Sequence, residues 1–115
     1  LLADETHDLS STITLKGPVR NVDGEVMVED GPSLFQVAGL GGKLKVSNGD
    51  IATNALRVWT GAKSDGAREP GQTCADWASS DQAKLGVIAN PSNDGWLAEG
   101  PASCAKAYRL YCISK

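Results

Sequence analysis

The sequence has little of several residue types and patterns on which whole classes of function depend. Only one of its 115 residues is a histidine, His7, and only 5% are aromatic. No stretch approaches the roughly 18 apolar residues of a membrane-spanning helix, so no direct span is expected. The histidine lies far in the sequence from every cysteine, which argues against Cys-His catalysis. Composition leaves a Ser-His-Asp triad open, but no serine sits in a nucleophile elbow. We therefore do not expect an enzyme.

Clustered positive charge is also missing. The 11 lysines and arginines are scattered, and the formal net charge is −3. Phosphate backbones and sulfated polysaccharides need a cationic stripe, so neither nucleic acid nor such a polysaccharide is an expected partner. Half of the 14 acidic residues fall within the first thirty positions: Asp4, Glu5, Asp8, Asp23, Glu25, Glu29 and Asp30.

The length and the 41% hydrophobic content indicate one globular domain over residues 1–115. Residues 1–5 form neither a signal peptide nor an initiator start, so we expect the domain to be incomplete at its N-terminus. Short apolar runs separated by polar loops favour an α+β or mostly β fold.

Local patterns predict several elements. A hairpin is expected over 19–28 around Asp23-Gly24, a turn dipeptide. Further strands are expected at 43–46, before an Asn48-Gly49 turn, at 56–61 and at 107–113. A polar loop or short helix is expected at 10–12. In the last strand, alternation would place Tyr108, Leu110 and Cys112 on one face.

Three cysteines, Cys74, Cys104 and Cys112, are an odd number. An odd cysteine in a secreted chain indicates either a partner outside the chain or a free thiol. Because Cys112 is predicted to lie within a strand, we expect it to be buried, which suppresses thiolate chemistry.

Three segments carry a family resemblance: residues 58–61, Val-Trp-Thr-Gly; residues 74–77, Cys-Ala-Asp-Trp; and residues 102–112, which run from Ala-Ser-Cys to Tyr-Cys. Together they resemble the endostatin-like domains, which have a C-type-lectin-like fold. The resemblance is specific over 57–115 and looser over 1–56, where residues 1–4 stand in place of an apolar strand. The short loops are closer to the bacterial members than to the collagen-derived ones.

The resemblance implies an α+β, C-type-lectin-like domain of mostly short antiparallel strands and long loops, with its N-terminal helical part absent. It implies that Cys74 pairs with Cys104, and that Cys112 pairs with a cysteine outside this chain, in an upstream segment or a partner. It also implies an oxidising location: extracellular, cell-surface or periplasmic.

Metal sites are not expected. Glu69-Pro70-Gly71 stands where calcium-dependent lectins have a ligand triplet, but Gly71 has no side-chain oxygen, and Glu99-Gly100-Pro101 replaces the companion motif. Residues 69–71 are therefore expected to form a turn. His7 and Asp8 offer at most two of the roughly four ligands that zinc needs. Neither a metal nor another cofactor is predicted.

Four residues are candidates for ligand binding: Asn93, Asp94, Trp96 and Arg68. Trp96 follows a polar loop, whereas Trp59 and Trp77 are expected in the core. The resulting hypothesis is a non-catalytic adhesion module that recognises a protein or glycan without calcium. The alternative is a structural accessory subunit of a larger extracytoplasmic assembly.

Overall fold

The computed structural model describes residues 1–46, 48, 50, 52 and 55–113. Its strands are β1 (Val19–Arg20), β2 (Val26–Val28), β3 (Val58–Trp59), β4 (Leu85–Ala89), β5 (Gly100–Ser103) and β6 (Arg109–Leu110). The helical segments are 3-10 turns at Leu9–Ser11 and Gly31–Gln36 and one turn, α1, at Cys74–Trp77. The Cα radius of gyration is 13.5 Å, close to the value of about 13 Å for a packed domain of 100 residues. The chain is an α+β domain of short elements.

The predicted hairpin is confirmed. β1 and β2 pair antiparallel, with Val19 opposite Val28. Gly24 in the turn has a φ of 84°, which glycine adopts without a Cβ clash. The side-chain oxygen of Asn21 accepts hydrogen bonds from the amides of Asp23 and Glu25, both at 3.0 Å. Turn chemistry therefore fixes this hairpin locally.

Other sequence-based elements are confirmed in part. Where a polar loop or a short helix was expected at 10–12, the structure has the 3-10 turn Leu9–Ser11. The strand expected at 56–61 is shorter, because β3 spans only Val58–Trp59. Residues 43–46 form no strand beyond a single bridge at Lys45, and Gly49 of the expected turn lies outside the described residues. Residues 1–4 form no strand.

The larger sheet has the strand order β5-β4-β3-β6. β4 pairs antiparallel with both β3 and β5. β6 pairs with β3 in parallel, with Val58 opposite Arg109. The strands are therefore mostly antiparallel, as expected, and the terminal strand adds a parallel pairing because residues 104–108 carry the chain from β5 to the far side of β3.

Two core clusters lie on either side of this sheet region. The first contains Ala3, Leu9, Val19, Val28, Leu34, Phe35, Leu40, Ala62, Trp96 and Leu97. The second contains Trp59, Cys74 and Cys104. A Cβ on Gly86 would lie 2.8 Å from both Cys74 Sγ and the Trp59 ring, so only glycine lets β4 pass so close to the second cluster.

The expectation that Cys112 is buried is wrong. Leu110 is 52% exposed and Cys112 is exposed, whereas Tyr111 and Ile113 pack against the first core cluster. β6 ends at Leu110 on the edge of the sheet. Beyond it the odd-numbered side chains turn toward the core, which leaves the even-numbered ones in solvent.

Candidate functional site: a groove beside Cys112

A groove of about 1080 Å³ lies between the β1–β2 hairpin, the residues before it and the C-terminal residues. Buried Leu34, Leu40 and Trp96 contribute to its lining. Partly buried apolar side chains also line it: Leu15, Met27, Leu44, Tyr111 and Ile113. Small-molecule pockets measure about 300–1000 Å³. The groove is therefore as large as the largest of these, and most of its lining is apolar.

Tyr111 is a fixed part of the wall. Its hydroxyl donates a 2.6 Å hydrogen bond to the carbonyl oxygen of Trp96, and the two rings lie 6.0 Å apart between centroids. Burial raises the pKa of Tyr111. The phenol therefore stays protonated and keeps donating this bond across the physiological pH range.

Among the described residues, the charged side chains that line the groove are Lys16 and Arg20, and no Asp or Glu is part of this lining. Both cations are exposed. Nη1 of Arg20 donates a 2.8 Å hydrogen bond to the carbonyl oxygen of Gly24, which holds the guanidinium beside the hairpin turn. The groove therefore has an apolar lining with a basic rim.

Cys112 lies at the same groove. It is exposed and makes no disulfide. Its flanking residues, Tyr111 and Ile113, are both part of the lining. A thiol in this position is within reach of whatever occupies the groove.

The predicted disulfide is present: Cys74 and Cys104 are joined, with their Cα atoms 5.6 Å apart. It sits beside the ring of Trp59, which contacts Trp77 at 5.7 Å and Tyr108 at 4.9 Å between centroids. The expectation that Trp59 lies in the core is confirmed. Trp77 is half-buried against it. At this end of the molecule, the disulfide thus packs within a cluster of aromatic side chains.

The turn α1 is left-handed. Its four residues, Cys74 to Trp77, have φ values between 51° and 63°, and none is glycine. Left-handed helical backbone costs L-residues about 1–2 kcal/mol each. The Trp77 amide closes the turn with a 2.7 Å bond to the Thr73 carbonyl oxygen. Neighbouring structure has to hold such a conformation in place.

Residues 3–5 supply part of that support. The amide of Glu5 donates to Oδ1 of Asp76 at 2.7 Å. The Glu5 carboxylate accepts bonds from the Thr73 hydroxyl and from the Gly71 amide. These two donors, the Thr73 hydroxyl first, lower the pKa of Glu5. The contact joins a segment near the start of the chain to the disulfide end.

The four predicted ligand-binding residues do not form one surface. Oδ1 of Asn93 accepts a 2.7 Å bond from the Gly95 amide, so it shapes its own turn. Asp94 lies against Gly39. Arg68 pairs with Asp8, with Nη1 and Oδ1 3.5 Å apart, and does not line the groove. Of the four, only Trp96 belongs to the groove lining.

Trp96, a candidate for ligand binding because it follows a polar loop, is only 3% exposed. Its indole packs on Phe35, with the ring centroids 6.5 Å apart, and Nε1 donates to the Val37 carbonyl oxygen at 3.3 Å. The large apolar ring enters the core as soon as the preceding polar loop ends. It cannot act as an exposed platform for stacking a sugar.

The residues considered for metals have other partners. Glu69 begins a turn closed by a 3.1 Å bond from the Gln72 amide. Nδ1 of His7 lies 3.0 Å from the Asp4 carboxylate, whereas Asp8 accepts a bond from the Arg68 amide. Over the described ranges, no three His, Cys, Asp or Glu side chains gather into a group that could hold a metal ion.

Sequence reasoning missed the groove. Its residues come from positions 1, 14–27, 34–44, 96 and 111–113, and no local pattern joins these segments. Two sequence features belong to the groove: the alternation of apolar and polar residues around Leu15, and the spacing of Tyr111 and Ile113 two residues apart. Neither predicts a groove until the long-range packing is known.

Within the described chain, no helix has the length and apolar character needed to cross a membrane. In comparisons with known proteins, no family model matches this chain, and none of the curated proteins matches it.

Proposed function

We propose that this chain is a non-catalytic binding module that holds a segment of another polypeptide in the groove beside Cys112. The observation that carries the proposal is the groove itself, about 1080 Å³ with a mostly apolar lining. Apolar concave surfaces of this kind bind ligands by burying their apolar side chains. An extended peptide is the ligand class that fits an open groove bounded by a hairpin and residues 111–113.

A peptide is favoured over a glycan. Sugar recognition commonly relies on exposed aromatic rings and on polar side chains directed toward hydroxyl groups. Here Trp96 is buried, Asn93 is engaged in its own turn and Arg68 is paired with Asp8. The apolar groove lining instead matches Leu, Val or Phe side chains of a protein ligand.

The proposal includes an oxidising location and a partner for Cys112. The disulfide between Cys74 and Cys104 is typical of extracellular, cell-surface or periplasmic proteins. The resemblance to endostatin-like, C-type-lectin-like domains is part of the same proposal. On this view the occupant belongs to an upstream segment or a partner chain, and a cysteine in it reacts with the exposed thiol of Cys112.

The second candidate is a structural accessory subunit, and one observation favours it. β6 is an edge strand with Leu110 52% exposed and Cys112 exposed two residues beyond it. An unpaired edge next to an exposed thiol suits permanent attachment to a neighbouring subunit. If the chain forms a lasting disulfide-linked assembly and does not bind peptides reversibly, the structural subunit is the correct candidate.

Peptide selection tests the proposal. Random 16-residue peptides displayed on phage are selected against the immobilised chain carrying Cys112→Ser, which removes covalent capture. Selected peptides are then tested on two further variants, Val22→Ser and Leu85→Ser. Both residues are exposed apolar side chains, at 59% and 42%, but of the two only Val22 lines the groove.

We expect peptides whose binding is weakened by Val22→Ser and not by Leu85→Ser. Equal effects of the two substitutions, or no selected peptide at all, would refute the groove as the binding site.

A further inference from the structure

Residues 13–18 form a lip along the groove, without regular secondary structure and with a bend at Gly17. Their exposure alternates: Ile13, Leu15 and Gly17 are half-buried, whereas Thr14, Lys16 and Pro18 are exposed. Such period-two alternation is that of a β-strand with one covered face. Residues 14–18 also line the groove. The lip thus has the exposure pattern of a strand, although it pairs with no other strand in the described chain.

The main chain of this lip has no hydrogen-bond partner within the described part of the protein. Among the described residues, no backbone or side-chain hydrogen bond involves residues 13–18. The next residue, Val19, begins β1 and pairs with Val28. Backbone amides and carbonyls are strong hydrogen-bonding groups that folded proteins usually pair. A row of free ones beside an apolar groove is the arrangement to which extended peptides bind by adding a strand.

The charge of the groove is opposite to that of the chain. The chain has 14 acidic and 11 basic residues, yet among the described residues the charged side chains in the lining are Lys16 and Arg20, and none of these lining residues is Asp or Glu. Basic side chains around a groove attract ligands with negative charge and disfavour positive ones. The acidic residues of the hairpin region, such as Asp23 and Glu25, are not part of the lining.

From these observations we propose that the groove takes an extended acidic peptide, which adds as a strand to residues 13–18 and places apolar side chains on the groove floor. Its carboxylates pair with Lys16 and Arg20. This inference rests on the proposed function and specifies the chemistry of the ligand. A fatty acid would match the apolar lining and the basic rim, but it has no main-chain amides to pair with the lip.

Four labelled synthetic peptides separate these features. The acidic probe has alternating valine and glutamate, the basic probe has lysine in place of glutamate, and the third is the acidic probe with alternate amides N-methylated on one edge. A second methylated version carries the methyl groups on the other edge. Fluorescence anisotropy at low ionic strength measures binding to the chain with Cys112→Ser.

We expect the acidic probe to bind at least about ten-fold more tightly than the basic probe, with the difference shrinking at high salt. Methylation on one of the two edges should abolish binding. Lys16→Gln and Arg20→Gln should each weaken binding about two- to five-fold, as is typical of exposed ion pairs. The matched controls, Lys106→Gln and Arg109→Gln, remove exposed cations outside the groove lining and should have no effect.

The outcomes distinguish this inference from the proposed function. If the acidic and basic probes bind equally, the acidic preference is refuted. If both methylated versions bind like the parent, or if dodecanoate competes as well as the peptide does, strand addition is refuted. In each case, phage-selected peptides that depend on Val22 would leave the groove itself established as a peptide site.

Discussion

The indole Nε1 of Trp77 donates a 2.7 Å hydrogen bond to the carbonyl oxygen of Ala3. Trp77 ends the left-handed turn, and Ala3 is buried with its own amide bonded to the Thr60 carbonyl oxygen at 2.8 Å. The bond therefore connects the turn, the start of the chain and the end of β3. A Cβ on Gly61 would lie 2.8 Å from the Trp77 ring, which shows how closely the ring fits there.

Replacing Trp77 by phenylalanine should destabilise the domain by about 1–3 kcal/mol, because the Ala3 carbonyl oxygen loses its donor in a partly buried place. Urea unfolding measures this change. Tyr108→Phe is the control, since the Tyr108 hydroxyl makes no hydrogen bond in the described part of the chain while its ring packs on the same Trp59. Equal losses in the two variants would contradict the role given to the Trp77 bond.

Removing the disulfide with Cys74→Ala and Cys104→Ala together should lower the free energy of unfolding. The two cysteines are 30 residues apart, and closing a loop of that length contributes about 3.5–4 kcal/mol in the chain-entropy model. Chemical denaturation of the oxidised protein and of the double variant gives the difference. A double variant as stable as the parent would show that the aromatic cluster holds this end without the covalent link.

Cys112 should react as a single accessible thiol in the native protein. It is exposed and unpaired, whereas the other two cysteines are joined and buried. Titration with a thiol reagent under native, non-reducing conditions should give one equivalent, and none in Cys112→Ser. Two or more equivalents would mean that the Cys74–Cys104 bond does not form.

Glu5 should make stability depend on pH in acid. Hydrogen bonds from Thr73 and Gly71 lower its pKa below the ordinary value of 4.5. The folded state therefore gains from the ionised form above pH 4.5 and loses that gain as the pH falls through the lowered pKa. Glu5→Gln should lower the melting temperature at pH 7, and its difference from the parent should shrink toward pH 3.

Glu29→Gln is the control for charge, because Glu29 is exposed and accepts no hydrogen bond among the described residues. A Glu5 effect that stays constant between pH 7 and pH 3 would contradict the linkage.

Ala75→Gly should stabilise the domain, against the usual effect of glycine. Ala75 has a φ of 53° and a ψ of 60°, a conformation that costs alanine about 1–2 kcal/mol and glycine much less. The greater backbone entropy of glycine in the unfolded state opposes this effect. The net gain in the free energy of unfolding should therefore be about 0.5–1 kcal/mol.

Ala78→Gly is the matched control, since Ala78 is exposed nearby with an ordinary right-handed backbone. It should lose about 0.5–1 kcal/mol. Thermal unfolding of both variants decides the matter. A loss of stability in Ala75→Gly would contradict the left-handed turn.

The sequence by itself determined those features whose causes are local. The Asp23-Gly24 turn dictated the hairpin, because a glycine with positive φ and the short side chain of Asn21 close it without help from the rest of the chain. The short helix near Ser10 was predicted for the same reason. The Cys74–Cys104 pair was implied by the resemblance of the tail, and the burial of Trp59 followed from its place in an alternating strand.

Only the tertiary structure decided which side chains of the last residues are covered. Cys112 was expected to be buried, but β6 ends early at the sheet edge and reverses which positions face the core. Trp96 was a candidate for ligand binding, but Phe35 and Tyr111 enclose it. The left-handed turn depends on contacts from Glu5 and Ala3, some seventy residues away. The groove joins segments that lie far apart in the sequence, so its apolar lining and basic rim exist only where long-range packing brings those segments together.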